Sequence, residues 1–313
     1  LSEQAAPQPQ FARVLSLAKA QSDDIAARLI SSGITVIDGI ATITGPGAVT
    51  AVSEGETQQI ETDAILLATG AHPRTSADAV PDGERILTWE QVYALKDLPE
   101  HMIVVGSGVT GAEFASAYNG LGATVTLVSS RDRVLPGEDA DAATVIEDVF
   151  TRRGMTVMGK SRMATVERTA EGVRVTLTDG RTVDGSHCLL AIGSIPNTEG
   201  LGLETVGVEL NDAGFIWVDR VSRTSARGVY AAGDCTGVLM LASVAAMQGR
   251  TAMWHFLGDA VSPLDLKAVS SNVFTAPEIA TVGWTQREVD AGLIAAVGVM
   301  LPLLSRFITS ALA

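Results

Sequence analysis

Residues 102–130 read MIVVGSGVTGAEFASAYNGLGATVTLVSS. An apolar run, Met102 to Val105, stops at the glycine turn Gly106-Ser107-Gly108-Val109-Thr110-Gly111; a helical stretch follows, and a second apolar run, Val125 to Val128, closes the unit. Strand, glycine turn, helix and strand in this order form the βαβ pattern of a dinucleotide cradle. The first glycine permits the tight turn, the second lets a pyrophosphate reach the backbone, and the third packs helix on strand. The helix N-terminus adds unpaired N–H groups and partial positive charge for phosphates. At the end of the second strand an acid normally grips the adenosine ribose. Here that place holds Ser129, followed by Ser130, Arg131 and Arg133. Without a carboxylate nothing repels a ribose phosphate, and the arginines offer it positive charge, so the sequence predicts that NADP is accepted alongside NAD.

Working outward, residues 11–31 place Val14, Leu17, Ala18, Ile25 and Leu29 at helical spacing, with Gly33 as a stop signal. ITVIDGIATITG, AVTAV and QQIETDAILLATG then read as strands, the last a buried one (65–68) ending in Thr69-Gly70. Beyond the central unit come a helix at about 138–153, a short strand MTVMG, and a β-meander through VERTAEGVRVTLTDG and RTVDGSHCLLAIG. A further buried strand ends at Gly233-Asp234, and Leu241 to Leu257 has the alanine content of a helix. A carboxylate at the C-terminal edge of a buried strand stands where ligands sit in such sheets, so Asp234 is placed to accept hydrogen bonds from the ribitol of a flavin. A helix starting near Ala242 aims its positive end at the flavin ring and favours the reduced form. The fold class is α/β, one nucleotide-binding unit inserted into another.

Composition narrows the choice of function. The chain has 313 residues, 22 basic against 36 acidic, and a net charge of −14, which argues against a broad nucleic-acid surface. At 46% apolar and 19% charged it is a globular composition. Two cysteines, Cys188 and Cys235, make no disulfide scaffold and point to a reducing cytoplasm, where they are expected as buried free thiols. No metal-ligand cluster is visible. The first residues have no secretory pattern. The apolar run from Leu293 to Leu304 is short, carries Pro302, and falls well below the about 20 residues of a spanning helix, so a buried strand or a broken domain end is expected there and no membrane span.

Taken together, GSGVTGAE, Ala68-Thr69-Gly70, LLAIGSIPNT, the Gly-Asp strand followed by Leu241-Ala242, and NVFTAPEIATVGWT (272–285) resemble the flavoprotein pyridine nucleotide-disulfide reductase family, the group of lipoamide dehydrogenase. The wording GSGVTGAEFASAY and AAGDCTGVLMLASVAAMQGR is most similar to its actinobacterial branch of NAD(P)H-quinone reductases. The resemblance implies two nested Rossmann-like domains with β-meanders and the start of an α+β interface domain. Residues 1–80 and 201–265 would form the FAD-binding domain, 81–200 the NAD(P)-binding domain, and 266–313 the interface domain, through which family members form homodimers. It implies FAD and NADP or NAD as cofactors. It places Gly39 at the FAD adenosine, Thr69 and Gly70 beside the flavin nucleotide, and Gly233, Asp234, Leu241 and Ala242 at the ribitol and flavin. Met163 and Gly193 would line the nicotinamide nucleotide, and Glu113 would position the nicotinamide and pair with a lysine. A gating tyrosine of relatives is replaced by Val109.

The departures shape the activity expected. The family's first GxGxxG and its CxxxxC dithiol fall upstream of the matched region, and the C-terminal His–Glu pair is missing, which reads as truncation at both ends. Hydride transfer needs no acid or nucleophile from the protein, so electron transfer from NAD(P)H to a small quinone-like acceptor is the activity implied. The alternatives are a dihydrolipoamide dehydrogenase-like disulfide reductase whose cysteines and histidine lie elsewhere, and a nucleotide-binding fragment without catalysis.

Overall fold

The computed structural model describes residues 7–296. The chain opens with α1 (Pro7–Ser31), then an antiparallel three-stranded meander, β1 (Ile40–Gly45), β2 (Ala48–Ser53) and β3 (Glu56–Glu61). It continues through β4 (Ile65–Leu67), β5 (Ala71–Pro73) and β6 (Ile86–Thr88) into β7 (His101–Val105), α2 (Val109–Leu121), β8 (Thr124–Val128), α3 (Ala140–Arg152) and β9 (Thr156–Met158). A second meander, β10 (Met163–Arg168), β11 (Val173–Leu177) and β12 (Thr182–Gly185), leads to β13 (His187–Leu190), β14 (Ser194–Pro196), β15 (Val229–Ala231) and α4 (Ala242–Phe256). A hairpin, β16 (Ser270–Val273) and β17 (Ile279–Val282), and the short α5 (Gln286–Asp290) end the described chain.

Five strands make the central sheet in the order β6-β13-β7-β8-β9, all parallel. Parallel strands covered on both faces are continuous apolar runs, and β7, β8 and β13 are buried along almost their whole length. On one face lies α2, whose buried side is mostly small (Gly111, Ala112, Ala115, Ser116), so the helix axis comes close to the sheet. Beside it α3 turns Ala143, Ile146 and Phe150 inward at helical spacing. The other face is covered by the β10–β12 meander through Val166, Val173, Val175 and Leu177 against Ile103, Val105, Cys188 and Leu190. The fold is α/β with a parallel core, as the sequence predicts.

A second parallel pair, β4 with β15, stands outside that sheet and packs with Ile43, Leu203, Val208 and Ile216. The two chain crossings between the units, β5 and β14, lie side by side as an antiparallel pair. That pairing is how the five-stranded sheet unit is set into the unit built on β4 and β15.

Three expectations shift. The first helix begins earlier, at Pro7, and its apolar stripe is open, with Val14, Leu17, Ile25 and Leu29 exposed. It meets the sheet unit through Phe11, which stacks on Tyr118 at 6.2 Å, and carries its own i,i+4 ion pairs Lys19–Asp23 and Arg28–Asp24. Residues 34–39, expected to begin a strand, join no ladder, and Ile34 and Val36 are about half exposed; the strand starts at Ile40. The helix expected at 138–153 is trimmed to Ala140–Arg152 because Asp139 and Arg153 act as its caps. The apolar stretch 293–304 lies mostly outside the described residues. Among those described, no helix is long and apolar enough to cross a membrane.

Candidate functional site

The turn between β7 and α2 separates its three glycines by what surrounds them. A Cβ on Gly106, which has φ +110°, would collide with the Ala191 carbonyl, and one on Gly111 would collide with the Gly106 carbonyl. Around Gly108 a Cβ would meet nothing within 4 Å. Two glycines are therefore required by packing, and the middle one faces open space. Gly108 is also the N-cap of α2 and provides no side-chain cap, so the first N–H groups of the helix are left for something else. Val109 and Thr110, the first helical residues, are exposed beside it.

The end of β8 differs from expectation. Ser129 is fully buried, and its hydroxyl shares a 2.6 Å hydrogen bond with the hydroxyl of Ser107. No side-chain contact with a ribose is open to it, because its hydroxyl also accepts from the Arg131 N–H at 3.1 Å. Ser130 and Arg131 are exposed. Arg133 parts from them: it lines a separate groove of about 920 Å³ with the start of α3 and with Trp284–Asp290, and its Nε is buried without a hydrogen-bond partner.

Glu113, on α2, accepts a hydrogen bond from the Phe274 N–H at 2.8 Å. Among the described residues it pairs with no lysine; its partner is the backbone of the β16–β17 connection, where Ser116 likewise accepts from Ala276 at 3.0 Å. Met163, half-buried, packs on the core under the meander. Gly193 is exposed with φ +104°, and its carbonyl accepts from Arg74 N–H at 2.9 Å.

The second group of candidates gathers at the ends of β4 and β15. Thr69 donates to the Asn197 carbonyl at 2.7 Å, Asn197 Nδ2 donates to the Thr69 carbonyl at 2.8 Å, and the Asn197 amide donates to Gly70. Gly70 itself is open, since a Cβ there would meet no atom within 4 Å. Gly233 donates to Oε1 of Gln248, a buried glutamine on α4 whose Nε2 reaches the Thr236 hydroxyl. Asp234 is half-buried, and among the described residues its carboxylate accepts no hydrogen bond. Leu241 caps α4 without a side-chain hydrogen bond, so the first turn at Ala242 is open. Gly39 is exposed, and a Cβ there would collide with the Val52 carbonyl. Asn197 and Gln248 are not among the residues singled out from sequence. A polar residue inside the motif LLAIGSIPNT, and a glutamine among alanines on a buried helix face, are the signals that point to them.

Sequence and fold both match known proteins. A family model described as pyridine nucleotide-disulphide oxidoreductase matches residues 2–249. The chain belongs to the pyridine nucleotide-disulphide oxidoreductase family. Among its curated relatives, an NAD(P)H dehydrogenase (quinone) of Mycobacterium tuberculosis is 57% identical over 303 residues, covering 94% of this chain and 62% of that protein. A dihydrolipoyl dehydrogenase of Chlorobaculum tepidum is 34% identical, covering 91% of this chain and 62% of that protein. The chain thus spans about three fifths of the length of these relatives. The crystal structure of LpdA from Mycobacterium tuberculosis is 56% identical with a TM-score of 0.91, covering 97% of this chain and 68% of that one.

The two cysteines are closed off from solvent. Both are fully buried, burial pushes each thiol up from its ordinary value, and Cys235 faces the carbonyls of Leu67 and Ala232. Among the described residues no group of His, Cys, Asp and Glu is arranged to hold a metal ion.

Proposed function

We propose that the protein draws a hydride from NADH or NADPH onto FAD and passes the electrons to a small quinone-like acceptor. FAD, when bound, supplies the electron chemistry. The chain's own residues bind and orient. The observation that carries the reading is the open middle glycine: Gly108 leaves its backbone and the first turn of α2 accessible to a pyrophosphate, while Gly106 and Gly111 are closed by packing. Exposed Ser130 and Arg131 stand on the loop where an adenosine ribose belongs. At the second site the unpartnered Asp234 carboxylate, open Gly70 and the uncapped start of α4 suit a ribitol and a flavin ring. The residues present therefore fit both nucleotides. Gly39 at the adenosine, and Met163, Gly193 and Glu113 along the nicotinamide, remain part of the proposal, as does the division into FAD-binding (1–80 and 201–265), NAD(P)-binding (81–200) and interface (266–313) parts.

The quinone acceptor is supported by the relative named NAD(P)H dehydrogenase (quinone), which is 57% identical. A dihydrolipoyl dehydrogenase-like reaction is supported at 34% identity, but neither cysteine of this chain is accessible for it. A homodimer in the cytoplasm belongs to the same reading. The test is spectroscopic. The chain reconstituted with FAD should bleach anaerobically with NADH or NADPH and regain colour when a water-soluble naphthoquinone is added. FAD binding without bleaching would overturn the enzyme and leave a nucleotide-binding module, while recolouring by lipoamide but not by quinone would favour the disulfide reaction.

A further inference from the structure

We infer that the buried Ser107–Ser129 hydroxyl pair is a positioning device that holds the 129–135 strap, and with it Arg131, ready for a ribose 2′-phosphate; this rests on the nicotinamide-nucleotide reading above. Ser107 is the residue between the first two glycines of the turn, and Ser129 ends β8. Their hydroxyls lie 2.6 Å apart, and both residues are buried. Ser129 Oγ accepts from the Arg131 N–H at 3.1 Å, and its own proton has the Arg131 carbonyl at 3.2 Å or that of Arg133 at 3.4 Å. Whichever serine donates at 2.6 Å, the Ser129 hydroxyl is held by Ser107 on one side and by the strap on the other.

The far end of the strap returns to the same residue. The Leu135 N–H donates to the Ser107 carbonyl at 2.8 Å, and buried Leu135 holds a left-handed conformation with φ +50° to make that return. Midway, Lys160 N–H donates to the Arg131 carbonyl at 2.6 Å, and Ser161 N–H to the Ser129 carbonyl at 2.7 Å. Both ends of the strap are thus tied to one residue of the phosphate turn, while Ser130 and Arg131 remain exposed on it. A ligand whose pyrophosphate lies on Gly108 meets a guanidinium whose backbone is already ordered, and the cost of ordering that loop does not fall on binding. A carboxylate at 129 would put a charge where the serine is fully buried.

The test is calorimetric titration of the 313-residue chain with 2′,5′-ADP and with 5′-ADP, which needs no flavin and no turnover. The intact chain should bind 2′,5′-ADP about tenfold tighter or more, the scale of one charge-assisted contact to phosphate. Arg131→Ala should abolish that ratio. Ser129→Ala should cut it about fivefold, read as the ratio of the two affinities within the variant, and should cost nothing more once Arg131 is alanine. An unchanged ratio in Ser129→Ala, or losses that multiply with those of Arg131→Ala, would overturn the inference while the nucleotide reading stands. If the intact chain binds neither ligand, both fall. Should Ser129→Ala lose 5′-ADP binding through misfolding, the Ser107→Ala/Ser129→Ala double variant removes both partners together, leaves no orphaned hydroxyl, and must show the lost ratio.

Discussion

The Glu113 carboxylate on α2 holds the Phe274 N–H at 2.8 Å, and through it the helix behind the glycine turn is tied to the β16–β17 hairpin. One turn further along, Ser116 takes the Ala276 N–H in the same way. A side chain assigned from sequence to the nicotinamide is, in the structure, also a clasp between two parts of the chain. A hydrogen bond to a charged group is worth about 1.5–3 kcal/mol. Glu113→Ala should therefore lower stability by about 1–2 kcal/mol, since Glu113 is only half-buried and part of the bond's worth is screened. Glu113→Gln, which keeps the acceptor oxygen, should cost less. Hydrogen exchange at the Phe274 amide is the direct readout, and it should quicken in the alanine variant alone.

The glycine turn offers a pair of variants with opposite signatures. Gly108→Ala puts a methyl into open space at φ −68°, which any residue adopts, so the melting temperature should fall by no more than about 2–4 °C. The N-cap change costs up to about 1 kcal/mol. The methyl would stand where a pyrophosphate approaches, and NADH and NADPH affinities should both fall about tenfold or more. Gly111→Ala drives a methyl into the Gly106 carbonyl and should cost about 3 kcal/mol or more, or prevent folding, because helix and strand must separate. Equal loss of stability in the two variants would contradict the packing described.

How much of this was legible in the sequence follows from the range of the interactions. The βαβ unit could be read because it is local: a strand, three glycines at fixed spacing and a helix lie within about 30 residues, and period and turn chemistry agree. The meander strands were legible for the same reason. The partner of Glu113 was not, since it lies 161 positions away, and nothing at residue 113 distinguishes a ligand contact from a clasp. Ser129 could be seen to replace an acid, but its burial is decided by Ser107 and by the turn after β9, which periodicity does not reach. The first helix shows the opposite failure. Its spacing of Val14, Leu17 and Ile25 predicts a helix with an apolar face, and periodicity does not say whether anything covers that face, which is exposed.

Asp234 gives a test of the flavin half of the site. Its carboxylate has no partner among the described residues, so Asp234→Asn removes charge without breaking a hydrogen bond of the protein. Stability should change by less than about 0.5 kcal/mol. FAD affinity, measured by quenching of flavin fluorescence, should fall about tenfold, the worth of one or two hydrogen bonds from ribitol hydroxyls to a charged acceptor. Gln248→Ala should reach a similar loss by another route, since it frees the Gly233 amide and the loop carrying Asp234, and should also lower the melting temperature. Unchanged flavin affinity in Asp234→Asn would remove that residue from the proposed site.

The end of the described chain offers a test by acid. Lys267 pairs with Glu288 on α5 and lies 4.4 Å over the Trp284 ring. Thr285 closes a capping box with the same glutamate, its N–H donating to Oε2 at 2.9 Å. The hydrogen bond from Lys267 first, and the Thr285 N–H second, hold the Glu288 carboxyl down at about 2 from an ordinary 4.5. A carboxyl lowered on folding stabilises the folded form above the unfolded value and loses that contribution as it is protonated. The attachment of α5 should thus be fully present above pH 4.5 and be lost as the pH falls towards 2. Protection factors over residues 285–290, that is, exchange rates divided into the intrinsic rate at each pH, should fall across that interval in the natural chain. In Glu288→Gln, which cannot ionise, protection there should be lower at neutral pH and flat between the two limits. Parallel pH profiles for the two proteins would mean that another group governs the acid response of this segment.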